Sequence, residues 1–120
     1  MNRPSDNNSR IAWIDEAHFQ QEVLSATQAA LVAFLTPSSL SCQGLAPVLE
    51  EVAASLAGAV RVLQVDVNEN LRLSMWYEIQ AIPTILCFLN GRVCVRIVGA
   101  VGKEAIIAKL QSFLPARPSL

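Results

Sequence analysis

Asn90-Gly91 sits between two runs of apolar and β-branched residues, Thr84 to Leu89 and Arg92 to Val98. No other stretch narrows the fold as much. A two-residue hairpin turn of type I′ needs positive φ at both positions, and Asn-Gly adopts it at little steric cost. The last two strands are therefore expected to be antiparallel neighbours. With Asn90 and Gly91 as the turn, Leu89 faces Arg92, Phe88 faces Val93 and Cys87 faces Cys94.

Upstream of the hairpin the pattern changes. Ala30 to Leu35 and Val60 to Val67 are near-continuous apolar runs, as strands buried on both faces should be. Ile11 to Ile14 is a shorter strand candidate. Between these lie helical segments. Asp15 can cap a helix to about Ala26, with Phe19 and Val23 on one face. Leu45, Val48, Leu49, Val52 and Leu56 recur at helical spacing and predict a helix from about Cys42 to Ala57, kinked by Pro47 and ended near Gly58. Asn68 is expected to cap a short helix to Tyr77. Ile106, Ile107, Leu110, Phe113 and Leu114 predict a last amphipathic helix before Pro115 and Pro118. The order β-α-β-α-β-α-β-β-α predicts an α/β fold: a mixed sheet, parallel first and antiparallel at its end, with helices on both faces.

The chain length of 120 residues suits one domain with a real core. Residues 1–10 read as a flexible leader, 11–115 as the domain and 116–120 as a short tail. Hydrophobic residues make up 52% and charged ones 16%, a balance that folds. The net charge of -1 comes without a basic stripe, which argues against nucleic-acid or membrane partners. No signal peptide or membrane-length apolar run is visible, so the expected compartment is the cytoplasm.

Chemistry is concentrated in few residues. The three cysteines, Cys42, Cys87 and Cys94, include no CxxC pair, and no metal site or cofactor is expected. Directly opposite strand residues have Cβ atoms about 4.5–5.5 Å apart, whereas a disulfide wants about 3.5–4.5 Å. Cys87 and Cys94 are thus read as buried thiols packed as small hydrophobes, with a redox-sensitive pair as the rival. His18 is read as a surface residue with no nucleophile or carboxylate placed beside it. Trp76 and Tyr77 are read as core or rim packing, and Glu50-Glu51 as a solvated helix face. The stretch Thr36 to Val52 links a strand to a helix and carries Ser39, two residues, then Cys42.

From Arg10 to Leu114 the chain resembles a thioredoxin. Phe34 and Ala46-Pro47 flank the turn, Ile82-Pro83-Thr84 is similar to the loop with the family's cis-proline, and Phe88, Asn90-Gly91 and Val98-Gly99 match the terminal hairpin. The resemblance implies a thioredoxin fold and places the active-site turn on Ser38-Ser39-Leu40-Ser41-Cys42. The family sequence there would be Trp-Cys-Gly-Pro-Cys. Ser39 stands at the attacking cysteine, Cys42 at the resolving one, Ala33 at the buried aspartate and Gln64 at its lysine neighbour.

Dithiol exchange needs an acidic thiolate to attack and a second thiol to release the product. A serine hydroxyl is far less acidic and forms no stable mixed disulfide, so ordinary turnover through this turn is not expected. Without a disulfide to resolve, a buried carboxylate only costs desolvation. Cys42 keeps three readings: a quiet buried residue, a single reactive thiol, or a partner to another cysteine after rearrangement. The resemblance also implies a surface for an extended protein segment, formed by Ile82, Pro83, Leu40, Gly99 and Ala100 with Ser39. Three function classes stay open: a redox-impaired binder of extended segments, a thiol-disulfide oxidoreductase working through Cys42, and a structural or chaperone-like interaction module. The expected partner is a protein with an extended segment or a thiol; the oligomeric state is left open.

Overall fold

The computed structural model describes residues 11–113. The leader at 1–10, the tail at 116–120 and the residues Leu114, Pro115 and Pro118 lie outside the described residues. Five strands form one sheet in the order β1-β3-β2-β4-β5: β1 (Ala12–Trp13), β2 (Ala29–Leu35), β3 (Val60–Asp66), β4 (Thr84–Leu89) and β5 (Arg92–Val98). β1, β3 and β2 run parallel; β4 is antiparallel to β2, and β5 to β4. The mixed sheet expected from the element order is present.

β2 is central and every residue in it is buried. Its side chains alternate between two layers. Leu31, Ala33 and Leu35 join the layer covered by α3 (Leu45–Ser55) and α5 (Lys103–Leu110). Ala30, Val32 and Phe34 join the layer under α1 (Glu16–Phe19) and α4 (Leu71–Trp76). Burial on both faces explains the unbroken apolar run. Each such large side chain contributes about 1.5–3 kcal/mol on removal from water. Helices on both faces of a mixed five-stranded sheet give the thioredoxin fold.

Local details depart from the sequence reading where packing or backbone donors decide. The helix at Cys42–Ala57 is divided into α2 (Leu40–Gln43) and α3, with Gly44 between them. Pro47 is the cause. In one continuous helix its nitrogen would have to donate to the Gln43 carbonyl, four residues back, and it has no hydrogen. The interruption falls upstream of the proline, which occupies the first turn of α3, where a missing donor costs little. The helix begun at Asp15 is α-helical only to Phe19 and continues as a π-helical turn, Gln20–Leu24, closed by Ser25 N–H on the Gln20 carbonyl at 2.9 Å. Asn68 does not cap α4. Its own N–H is held by the Asp66 carboxylate at 3.0 Å, a 3-10 turn covers Val67–Glu69, and α4 starts after Asn70.

The hairpin turn forms as expected, with φ of 54° at Asn90 and 79° at Gly91. Gly91 also answers a close approach: a Cβ there would lie 2.9 Å from the Leu24 carbonyl oxygen. Beyond the turn the expected register fails. Leu89 pairs with Arg92 and Phe88 with Val93, but Cys87 pairs with Val95, leaving Cys94 as the extra residue of a β-bulge. Unbroken pairing would have set Ile85 opposite Arg96 and turned that charge into the layer under α5. The bulge exchanges the faces. Val95 and Ile97 are buried there, and Arg96 emerges on the other side to donate to the Tyr77 carbonyl at 2.6 Å. A one-residue slip moves a whole side-chain set across the sheet, and an unpaired buried guanidinium costs more than one irregular pair.

Candidate functional site at the end of the sheet

Three strand ends meet at one edge of the molecule. Phe34, near the end of β2, pairs with Thr84 at the start of β4, and Thr84 pairs with Val98 at the end of β5. The chain leaving β2 turns sharply: Ser39 N–H donates to the Thr36 carbonyl at 3.1 Å. Ser39 then precedes the first residue of α2 in extended conformation, and its carbonyl accepts from Cys42 N–H at 3.1 Å and Gln43 N–H at 3.0 Å. Its hydroxyl does not cap the helix. It lies 2.9 Å from the Ser41 hydroxyl, so the two share one hydrogen bond.

Cys42 is only 3% exposed and joins the layer under α3 and α5. Leu40, the neighbour of Ser39, is 84% exposed.

The Ile82-Pro83 peptide is cis. Pro83 is buried, and its carbonyl accepts from Gly99 N–H at 2.8 Å, which locks the loop before β4 to the end of β5. Gly99 has φ +94°, a conformation that suits glycine. Thr84 Oγ1 donates to the Ala81 carbonyl at 2.6 Å and ties the loop from within. Ile82 and Gly99 are half-buried and Ala100 exposed. Val98, absent from the sequence-derived set, belongs here: it is 57% exposed and directly opposite Thr84. The sequence carried no signal for it, because the register read from Asn90-Gly91 turns position 98 inward and only the bulge brings it out.

Beneath the turn, Ala33 and Gln64 are direct partners in the β2–β3 ladder, and both are buried. The Gln64 amide donates to the Ile11 carbonyl at 3.0 Å, so a neutral side chain there is satisfied without a charge.

Other expected residues lie elsewhere. Cys87 and Cys94 are free thiols that do not face each other in the ladder. Cys87 is buried, but Cys94 is half-exposed, against the expectation that both are buried. The Cys94 sulfur lies 3.4 Å from the Cys87 carbonyl oxygen. Burial, with the neighbouring Cys94, pushes the Cys87 thiol up to about 12. His18 has a carboxylate beside it after all: Asp15 Oδ1 is 2.7 Å from Nδ1, and this contact raises the imidazole above its ordinary value and lowers the Asp15 carboxyl. Both are exposed, Asp15 as the cap of α1 and His18 within it. Tyr77 packs edge-on against Phe88 at 5.2 Å, tilted against Phe19 at 5.8 Å, and burial raises its hydroxyl. Trp76 is 79% exposed. Among the described residues no cluster of His, Cys, Asp and Glu could hold a metal ion. None of their helices is long and apolar enough to cross a membrane.

Fold and site geometry together define an α/β protein of thioredoxin architecture whose turn carries one cysteine. The thioredoxin family profile matches residues 10–112, and the chain belongs to the thioredoxin family. It is 34% identical over 106 residues to thioredoxin 1 of a Nostoc species, covering 88% of this chain and 99% of that one. It is 35% identical over 103 residues to thioredoxin 1 of Synechococcus elongatus, covering 86% and 96%. Identity to the thioredoxin of Mycobacterium tuberculosis is 35% over 102 residues, covering 85% and 88%. Within that family the cysteine arrangement is atypical, consistent with limited redox function.

Proposed function

We propose that this protein binds extended protein segments at the end of its sheet and has given up dithiol exchange there. One observation carries the reading. Ser39 heads the turn with its hydroxyl engaged by Ser41, while the adjacent Leu40 is 84% exposed beside a buried Cys42. A hydroxyl cannot form the mixed disulfide, and a thiol 3% exposed is poorly placed to replace it. What the edge offers instead is apolar surface at Leu40, Ile82 and Val98, with the backbone of Ile82 and of Gly99–Ala100 beside it. A strand-like segment gains affinity from main-chain hydrogen bonds and specificity from alternate side chains. We assign the role to a domain of residues 11–115, flanked by a leader and a tail, and to the cytoplasm, where reducing conditions suit three free thiols.

The test uses a reduced, carboxymethylated protein that stays unfolded and carries no thiol. Wild-type and C42S proteins should bind it equally, and L40D/V98D should weaken binding about tenfold or more by placing charge where apolar contact forms. Binding that needs Cys42, or that ignores L40D/V98D, would overturn the reading.

A further inference from the structure

We propose that Cys94 and Cys87 form a peroxide-sensitive thiol pair that closes to a disulfide across the β4–β5 hairpin, independently of the turn at Ser39–Cys42. The bulge makes this possible. It turns Cys94 and Val95 toward the same layer as Cys87, and leaves Cys94 as the one residue of β5 between Val93 and Val95 without a ladder partner. A residue outside the ladder can shift without breaking paired hydrogen bonds. Its sulfur already sits 3.4 Å from the Cys87 carbonyl oxygen.

The two thiols are unequal, which assigns their order. Cys94 is half-exposed and meets solvent; Cys87 is buried, with its thiol pushed up to about 12 by burial first and by Cys94 second. Cys94 therefore reacts first, since oxidation follows access and thiolate character. Its proton goes to solvent and its sulfur attacks one oxygen of a hydroperoxide. The S–O bond forms, the O–O bond breaks, and the departing oxygen leaves as water or an alcohol after taking a proton. Cys87 then attacks the sulfenic sulfur. The S–S bond forms, the S–O bond breaks, and hydroxide leaves as water with the Cys87 proton. In total two thiols lose two electrons and two protons, and one hydroperoxide is reduced. Edge strands commonly carry bulges that discourage pairing with other chains; here the same bulge also frees Cys94 from the ladder while its sulfur stays beside the Cys87 backbone.

The experiment treats the full-length C42S protein with hydrogen peroxide, then alkylates it under denaturing conditions and measures intact mass and peptides. The expected product lacks two hydrogens and takes no alkyl group, with Cys87 joined to Cys94 by a disulfide within one chain, and it reverts with dithiothreitol. C87A should stop at one added oxygen on Cys94, trapped by dimedone. C94A should lose Cys87 to peroxide about tenfold more slowly or less, as burial requires. Circular dichroism before treatment checks that each variant is folded, and C42S alone carries the test if one is not. Free Cys87 and Cys94 in folded C42S after excess peroxide, or a disulfide only between chains, would overturn the proposal.

Discussion

The turn at Ser39–Cys42 and the hairpin at Cys87–Cys94 set their cysteines against the same hydrophobic layer, yet they are opposites in chemistry. In the proposed reading the turn keeps a helix start and a cis-proline loop, but a hydroxyl stands where the resemblance places the attacking thiol. The hairpin has two thiols and no such scaffold; a bulge leaves Cys94 outside the ladder with its sulfur beside the Cys87 backbone. Backbone geometry and sulfur chemistry have separated into two parts of one sheet. A binding surface needs only the first, and a thiol pair needs only sulfur atoms within reach.

The largest effect expected concerns turnover. With dithiothreitol as electron source, the wild-type protein should reduce insulin no faster than the reductant alone, followed by turbidity. S39C should rise above it without reaching an ordinary thioredoxin, because Leu40, Ser41, Ala33 and Gln64 still differ. Wild-type turnover at thioredoxin level would break the contrast between the two regions at its root.

Next in size is the floor of the turn. Ala33→Asp places a carboxylate in a site with no exposed surface, next to the neutral Gln64. It should cost about 3 kcal/mol in urea unfolding, the scale of an uncompensated buried charge. Gln64→Lys in the same chain should recover part of that loss. Additive effects of the two changes would deny that these side chains meet, and with it the electrostatic reading of the turn.

Thiol access sharpens the contrast further. Under native conditions iodoacetamide should label Cys94 first, Cys42 about tenfold more slowly and Cys87 last, in line with their burial. Peptide mass spectrometry over time gives the order, and Cys42 reacting first would return the turn to the class of single-thiol enzymes.

The smallest effect is alkaline. Cys87 has a folded-state value of about 12 against an ordinary 9.0, so between these limits the unfolded chain loses its proton and the folded chain keeps it. Stability therefore falls as pH rises above 9.0, and the loss levels off near 12. Replacing Cys87 by Val should flatten that slope in urea midpoints measured from pH 8.5 to 10.5, about half a unit below 9.0 to mid-interval. An unchanged slope would mean that another group carries it.

Much of this protein was determined by short stretches of its sequence. Asn90-Gly91 set a turn because positive φ at two successive residues is a local property, and the apolar runs at β2 and β3 marked inner strands of the sheet. Ser39 settled the chemistry of the turn, because no fold gives a hydroxyl the acidity or the disulfide of a thiol. Pro47 announced an interruption, though its place at Gly44, just after the Gln43 carbonyl that lost its donor, follows from the helical hydrogen-bond pattern. Tertiary structure decided the rest. The meeting of Ala33 with Gln64 needs the β2–β3 register, and the Asp15–His18 contact needs a rotamer that spacing alone does not choose. The bulge at Cys94 is the clearest case. The turn specified one register locally, but burying Val95 and Ile97 while leaving Arg96 in solvent required another, and that choice depends on α5, a helix that begins five residues after β5 ends. A turn is chosen by its own dihedral angles; a face is chosen by whatever covers it.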